Sequence, residues 1–453
     1  MSRRLNPFTL PIYYFASAIA LGTVLLHADF SLAQGPISWV DAFFTAVSAT
    51  CVTGLIVVDT GTFFSPAGKT IILTLIQLGG LGIMTYAGLI FYLWRQKVSL
   101  TDRVAVGQSL LHDPRFRLGR FLKQIVLGCM ALELLGAVLI FLADSKGFSP
   151  FSALFHSISA FCNAGFSLQS SSLMHWEKHW GINFIFITLI VLGGLGFSVL
   201  LELYGAVFMR KRKGLPAKPL GRALSRHAKI VLWTSAFLIL FGAGVVLVAE
   251  YIFHSGEFSF SETFLSSLFQ SVTCRTAGFN TMDIGRMTNI SLIVMMFLMF
   301  VGGSPGSCAG GIKTTTFRAL AAFFISRIKG RKQAVTGRFA LDEDTMNKAL
   351  TLVAFASVIV GCAVLLLNVT ELGAVPHERT RGLFLEIMFE VFSAFGTVGL
   401  STGLTPHLSP CGKVVVAVVM FVGRLGPILF LSVLQGFQKR EKFSWPEDTL
   451  LIG

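Results

Sequence analysis

Four short polar turns, each closing on a glycine, are the parts of this sequence best suited to chemistry. They read Thr50-Cys51-Val52-Thr53-Gly54, Phe161-Cys162-Asn163-Ala164-Gly165, Cys274-Arg275-Thr276-Ala277-Gly278 and Phe395-Gly396-Thr397-Val398-Gly399. What they offer is backbone carbonyl rather than acid, base or nucleophile. Glycine reaches conformations closed to other residues, so consecutive carbonyls can be turned to one side, and rings of such carbonyls replace the hydration shell of a cation. The expected ligands are the last three residues of each turn: Val52, Thr53 and Gly54; Asn163, Ala164 and Gly165; Thr276, Ala277 and Gly278; Thr397, Val398 and Gly399. The chemistry is reversible binding of a dehydrated monovalent cation, with no bound cofactor.

The four turns keep a common period. Their last glycines lie 111, 113 and 121 residues apart, and a second set, Gly79, Gly193, Gly302 and Gly423, follows at spacings of 114, 109 and 121. Each turn is preceded by a short amphipathic segment (41–49, 150–160, 261–272 and 383–394) and, before that, by an apolar helix at 10–28, 121–143, 230–253 and 349–370. A second apolar helix carries each later glycine. The short segments reach only halfway into a bilayer at about 1.5 Å per residue, and irregular backbone survives there only inside protein or beside a watery cavity. The expected fold is an all-α membrane protein of four repeats in a pseudo-fourfold arrangement, with eight spanning helices and four re-entrant ones. The repeats divide at 1–95, 96–213, 214–332 and 333–453. Thr397-Val398-Gly399 matches the first three residues of the potassium-channel signature Thr-Val-Gly-Tyr-Gly. Leu55, Phe166, Phe279 and Leu400 replace its second glycine, so fewer carbonyl layers and weaker discrimination are expected.

Composition agrees with a membrane chain. Of 453 residues 53% are hydrophobic and 13% charged, with mean hydropathy +0.72, against about a quarter charged in soluble domains. The net charge of +14 is not spread as a nucleic-acid groove would require. Most Lys and Arg cluster at 95–123, 210–229, 313–348 and 439–442, on one side of the expected helices, which places both termini in the cytoplasm. The first apolar run is read as a span rather than a cleaved signal. Seven cysteines without a Cys-x-x-Cys pair give no zinc site or disulfide framework. No helix carries Arg at every third position, as a voltage sensor would. His156, His175, His179, His227, His254 and His377 are read as lying in loops or at helix ends, which leaves no buried catalytic pair.

These residues resemble the bacterial Trk/Ktr superfamily of potassium uptake proteins, and a single span before the first turn resembles the Ktr-type membrane subunit. The likeness includes the single-glycine turns, the break Gly302-Gly303-Ser304-Pro305-Gly306-Ser307-Cys308-Ala309-Gly310-Gly311, and Gly423-Arg424-Leu425-Gly426-Pro427. It implies potassium uptake across the bacterial cell membrane, sodium as an activating or coupling ion, a homodimer, and a cytosolic ring of nucleotide-binding (RCK-type) regulatory subunits. It also implies an intramembrane gate at the break, whose candidate residues are Gly302, Gly303, Gly306, Gly310, Gly311 and Arg424. Arg424, the one basic residue deep in a span, is expected to face the pore or a carboxylate, with Glu133 and Glu202 as candidates. Arg275 is expected to brace its turn from behind. Asp59 and Asp283, each five residues after a turn glycine, are candidates for gathering cations at the outer mouth. The competing function is a sodium- or proton-coupled transporter with alternating access, disfavoured because the repeats run parallel.

Overall fold

The computed structural model describes residues 10–95, 118–209, 224–253, 259–337, 339–373, 375, 376, 378, 380 and 382–437. The two termini and the basic segments 96–117 and 210–223 lie outside the described residues, as do His254 and His377.

The helices come in four sets of long, short and long. The first set is α1 (Leu10–His27), α2 (Trp39–Thr50) and α4 (Pro66–Arg95), with a single-turn α3 (Thr60–Phe63) between the last two. The second is α5 (Leu118–Ala143), α6 (Pro150–Phe161) and α7 (Trp180–Leu195), continued by α8 (Phe197–Tyr204). The third is α9 (Arg226–Phe253), α10 (Phe260–Thr273) and α11 (Asn289–Phe300), continued by α12 (Thr314–Ile328). After a two-stranded hairpin, β1 (Val335–Thr336) and β2 (Phe339–Ala340), come α13 (Glu343–Leu372), α14 (Leu383–Gly396) and α15 (Pro410–Phe437).

Three of the four short helices start where the sequence offers a cap, while α14 starts after Gly382 with no side-chain cap. Ser38 Oγ accepts from Asp41 N (3.1 Å) and Ser149 Oγ from Ser152 N (3.2 Å), with Pro150 in the first turn. Before α10, Ser259 N donates to the Glu262 carboxylate (3.2 Å). Such caps satisfy backbone donors that the first helical turn leaves free. At 12 to 14 residues these helices are roughly 20 Å long.

Within the first, second and fourth sets the three helices pack on one another, and in the third α9 packs on both α10 and α11. Between sets, the second long helix meets the next short one: α4 with α6, α7 with α10, α11 with α14, and α15 with α2. The last contact returns to the first set, so the chain closes on itself. The long helices carry large apolar side chains on their outer faces. Trp233, Leu142 and Val369 face outward, 78%, 72% and 71% exposed, while Thr234, Ser235 and Ser291 are buried. Outward apolar surface with inward polar groups suits a hydrocarbon solvent.

Among the described residues three helices are long and apolar enough to cross a membrane, Lys123–Ala143, Arg226–Phe253 and Glu343–Leu372, or four if α7 and α8 count as one bent span. That bend corrects an expectation. The sequence placed its only broken helix in the third repeat, yet the second also breaks, by 108°, at Gly196. There φ is +86°, and a Cβ would stand 2.6 Å from Pro305 O. The Gly302–Gly311 segment presses into this gap, with Phe197 N donating to Gly306 O (3.1 Å).

Two ion pairs join neighbouring sets at the starts of short helices. Lys413 on α15 meets Asp41 on α2 at 2.7 Å with both side chains largely buried (13% and 23% exposed), and Lys178 meets Glu262 on α10 at 3.1 Å. The first pair ties the fourth set to the first. Lys413→Met strands a largely buried carboxylate and should cost about 1–3 kcal/mol, lowering the thermal midpoint of the purified protein. The Lys413→Asp, Asp41→Lys double variant should recover part of that loss. Lys178→Met should cost less, because Lys178 is mostly exposed and surface pairs contribute little.

Candidate cation-selective site

The four turns share one backbone design. Two residues before each closing glycine a non-glycine residue takes a left-handed conformation: Val52 (φ 56°), Asn163 (60°), Thr276 (82°) and Thr397 (49°). The glycines follow at φ 97°, 71°, 80° and 90°. Left-handed backbone disfavours side chains, so its fourfold recurrence at one register is a built feature. The residue between the two is held by the end of its own short helix. Thr53 N donates to Ser48 O (2.8 Å), Ala164 N to Ser159 O (2.7 Å), Ala277 N to Thr273 O (2.8 Å) and Val398 N to Ser393 O (2.8 Å).

The glycines meet in a closed ring. A Cβ on Gly54 would collide with Ala164 O, one on Gly278 with Val398 O, and one on Gly399 with Thr53 O; one on Gly165 would lie 2.9 Å from Ala277 O. Each glycine therefore leaves room for the carbonyl preceding the next glycine around the ring. The short helices all end here, bringing four partially negative carbonyl ends to one place. Leu55, Phe166, Phe279 and Leu400, the residues after the glycines, are buried in the core. On one side of the ring opens a cavity of about 280 Å³ lined by all four glycines, Asp59, Gln169, Asn280 and Ser401.

The second glycine set backs the ring. A Cβ on Gly79 would strike Thr50 O, one on Gly193 Phe161 O, and one on Gly423 Phe395 O, each carbonyl lying four residues before a ring glycine. Gly302, the third-set member, packs instead on Gly310 O and the Thr276 methyl group. The Gly302–Gly311 segment thus lies directly against the turns. Gly310 touches the Thr397 side chain and Gly396 O, and Gly303 touches Ala309 and Gly194 O. Gly306 (φ 72°) and Gly311 (φ 62°) turn the chain back on itself, so that Val301 and Ile312 pair. Ser304 N and Cys308 N donate to Gly194 O (3.0 Å) and Gly193 O (3.2 Å).

Three cationic side chains grip this segment by its carbonyls. Arg275 donates to Gly302 O and to Ser235 O on α9, both at 3.3 Å. Arg424 contacts the Gly302–Gly311 segment. Its guanidinium bonds Cys308 O, and Gly79 O at 2.8 Å, rather than either candidate carboxylate. Glu133 is engaged by Gln77 Nε2 (3.0 and 3.2 Å). Glu202 accepts from Ser225 N (2.9 Å) and Ser225 Oγ (2.8 Å) at the start of α9. Carbonyl dipoles converge on Arg424 from two helix sets and take the place of a counter-ion. Lys313, read in the sequence only as part of a basic cluster, donates to Ala309 O at 2.5 Å.

Asp59 lines the cavity and caps α3 through Gly61 N (2.7 Å) and Thr62 N (3.1 Å). Asp283 does not line it; it caps Gly285 N (3.0 Å) and pairs with Arg286 (3.4 Å). His156 also corrects the sequence reading, since it lies inside α6 and is fully buried. A further set went unread. Ser48, Ser159, Thr273 and Ser393, all fully buried, place a hydroxyl six, six, five and six residues before the ring glycine in the four short helices. Ser48 and Ser393 accept from Gly54 N and Gly399 N, both at 3.1 Å. Ser159 and Thr273 donate to Phe166 O (2.8 Å) and Phe279 O (2.6 Å). A hydroxyl residue five or six positions before each turn glycine was the available signal.

Apolar helices facing outward around a ring of carbonyl-bearing turns define a multi-pass membrane protein of the transport class. The TrkH family model, described as a cation transport protein, matches residues 8–435, and the chain belongs to that family. It is 38% identical over 455 residues to the Ktr system potassium uptake protein B of Bacillus subtilis, covering 99% of this chain and 96% of the relative. It is 33% identical over 464 residues to the potassium/sodium uptake protein NtpJ of Enterococcus hirae, covering 100% and 98%. Its fold is similar to that of the potassium transporter TrkH from Vibrio parahaemolyticus, with a TM-score of 0.73 at 21% identity, covering 96% of this chain and 86% of that one. The chain is a transport protein, as these relatives are, and not an enzyme.

Proposed function

We propose that this protein takes up potassium through a single-chain pore whose selectivity filter is the glycine ring and whose gate is the Gly302–Gly311 segment. The observation that carries the reading is the closed contact of Gly54, Gly165, Gly278 and Gly399 with the carbonyls of Thr53, Ala164, Ala277 and Val398. Carbonyls gathered in a ring can replace water around a potassium ion. The short helices aim their negative ends at the same point and favour a cation there. In this reading the four sets are repeats at 1–95, 96–213, 214–332 and 333–453, with eight spans and four re-entrant helices in pseudo-fourfold order. Both termini are cytoplasmic, following the basic segments. Two such chains form a dimer, each with its own pore, and a cytosolic ring of nucleotide-binding subunits regulates them. Sodium is an activating or coupling ion, a role supported by the likeness to a potassium/sodium uptake protein.

Replacing Gly54, Gly165, Gly278 or Gly399 by Ser forces a side chain into a neighbour's carbonyl. Rubidium uptake into proteoliposomes should then show a weaker apparent potassium constant, or sodium entry, by about tenfold or more. Four folded variants with normal rubidium selectivity would remove the ring as the filter.

The gate is tested separately. Arg424 places a fixed positive charge under the ring and holds Cys308 to Gly79, and such a charge in a low-dielectric pore repels cations. Arg424→Ala, or a shortened Gly302–Gly311 segment, should raise flux per folded molecule. The two together should gain less than the sum, because groups in one network are not additive. Unchanged or lower flux per monodisperse molecule in both variants would leave the segment a structural kink.

A further inference from the structure

The short helices carry a second repeat that closure of the ring does not require. Three residues before Ser48, Ser159, Thr273 and Ser393 stand Thr45, His156, Gln270 and Glu390. The last three are large polar side chains with no exposed surface, and each reaches the segment that leaves its turn on the cavity side. The His156 tautomer protonated on Nδ1 fits its contacts: Nδ1 donates to Ser152 O (2.8 Å), with Ser152 Oγ also at 3.2 Å, and Nε2 accepts from Ser167 Oγ (3.0 Å) and Leu168 N (3.3 Å). Gln270, with its amide oxygen facing the two donors, accepts from Thr281 N (3.2 Å) and Met282 N (3.3 Å). Glu390 accepts from Ser401 Oγ (2.5 Å), Thr402 N (3.3 Å) and Thr405 Oγ1 (2.6 Å).

A buried polar side chain with partners is the rule in folded proteins, and one such strut would mean little. Here three chemically different side chains, nine, eight and nine residues before the ring glycine, accept from the same backbone donor: the N–H three residues after that glycine, in Leu168, Thr281 and Thr402. What is common is the geometry, not the residue type. The first set lacks it, since Thr45 Oγ1 turns back to Asp41 O (2.8 Å) within its own helix.

We propose that His156, Gln270 and Glu390 are positioning residues that set cation discrimination by fixing the outward limb of three of the four turns, a role that rests on the ring being the filter. Each strut ties the backbone on the far side of a ring glycine to the helix that supports the near side. The carbonyl between them is thereby held at one height. Without the tie, the limb can move and the ring can tighten around a smaller ion.

The test is the ratio of rubidium to sodium uptake in proteoliposomes, per monodisperse protein. Glu390→Leu and Gln270→Leu should each lower the ratio about tenfold, the size of one lost buried hydrogen bond. Glu390→Gln keeps an acceptor for Thr402 N and should stay within about threefold of the parent. Thr45→Val, at the unbraced register, should leave the ratio unchanged. If Glu390→Leu does not fold, Ser401→Ala with Thr405→Val removes two donors from the outer limb and should lower the ratio in the same direction. Folded variants that lose yield but keep the parent ratio would overturn the proposal. A parent protein that does not distinguish rubidium from sodium would instead overturn the filter reading, and the proposal with it.

Discussion

The fold depends on the mutual contact of four glycines. Each leaves free the volume that a neighbour's carbonyl occupies, and the contacts run from Gly54 to Gly165, Gly278, Gly399 and back. A methyl group at any of these positions would meet backbone, which cannot swing aside as a side chain can. The four helix sets must therefore arrive at one point with their turns in matching register. The packing follows this demand, since each second long helix buttresses the next short one and Lys413 closes the cycle on Asp41. Glycine recurs behind the ring for the same reason. Gly79, Gly193 and Gly423 let the long helices touch the carbonyl ends of the short ones.

The ring also explains the irregular features nearby. The Gly302–Gly311 segment fills the space beneath the turns, where irregular backbone needs partners of its own. Ser304 N and Cys308 N find them on Gly194 and Gly193, and the segment's carbonyls are taken by Arg275, Arg424 and Lys313. The bend at Gly196 is the other half of this arrangement, because the helix yields where Pro305 presses in. Burying an arginine without a carboxylate is costly. Arg424 offsets part of that cost with two carbonyls from different helix sets, its Nε staying without a partner among the described residues, and so clamps the two sets together.

Much of this was legible in the sequence because it depends on glycine. The turn glycines, the backing glycines and the Gly-rich break are visible by type and spacing, and apolar composition names the solvent. Side-chain partners were not legible. Glu133 and Glu202 are reasonable carboxylates for Arg424 by sequence alone, but helix rotation gives Glu133 to Gln77 and Glu202 to the start of α9. His156 was legible as a helix-interior residue, because the short segment expected at 150–160 runs past it on both sides and the observed helix is only one residue longer. The Ser48, Ser159, Thr273 and Ser393 hydroxyls were hidden for another reason. In the third turn the supporting bond spans four residues rather than five, so the register slips by one and a fixed-spacing comparison misses it.

The central claim is that a dehydrated cation is held by the carbonyls of Thr53, Ala164, Ala277 and Val398. The most direct measurement is anomalous diffraction from crystals of this protein grown in rubidium, compared with crystals grown in lithium. The account predicts rubidium density on the ring axis, among those four carbonyls, and none there in lithium. Rubidium bound only outside the ring, in crystals of protein that transports rubidium, would contradict it.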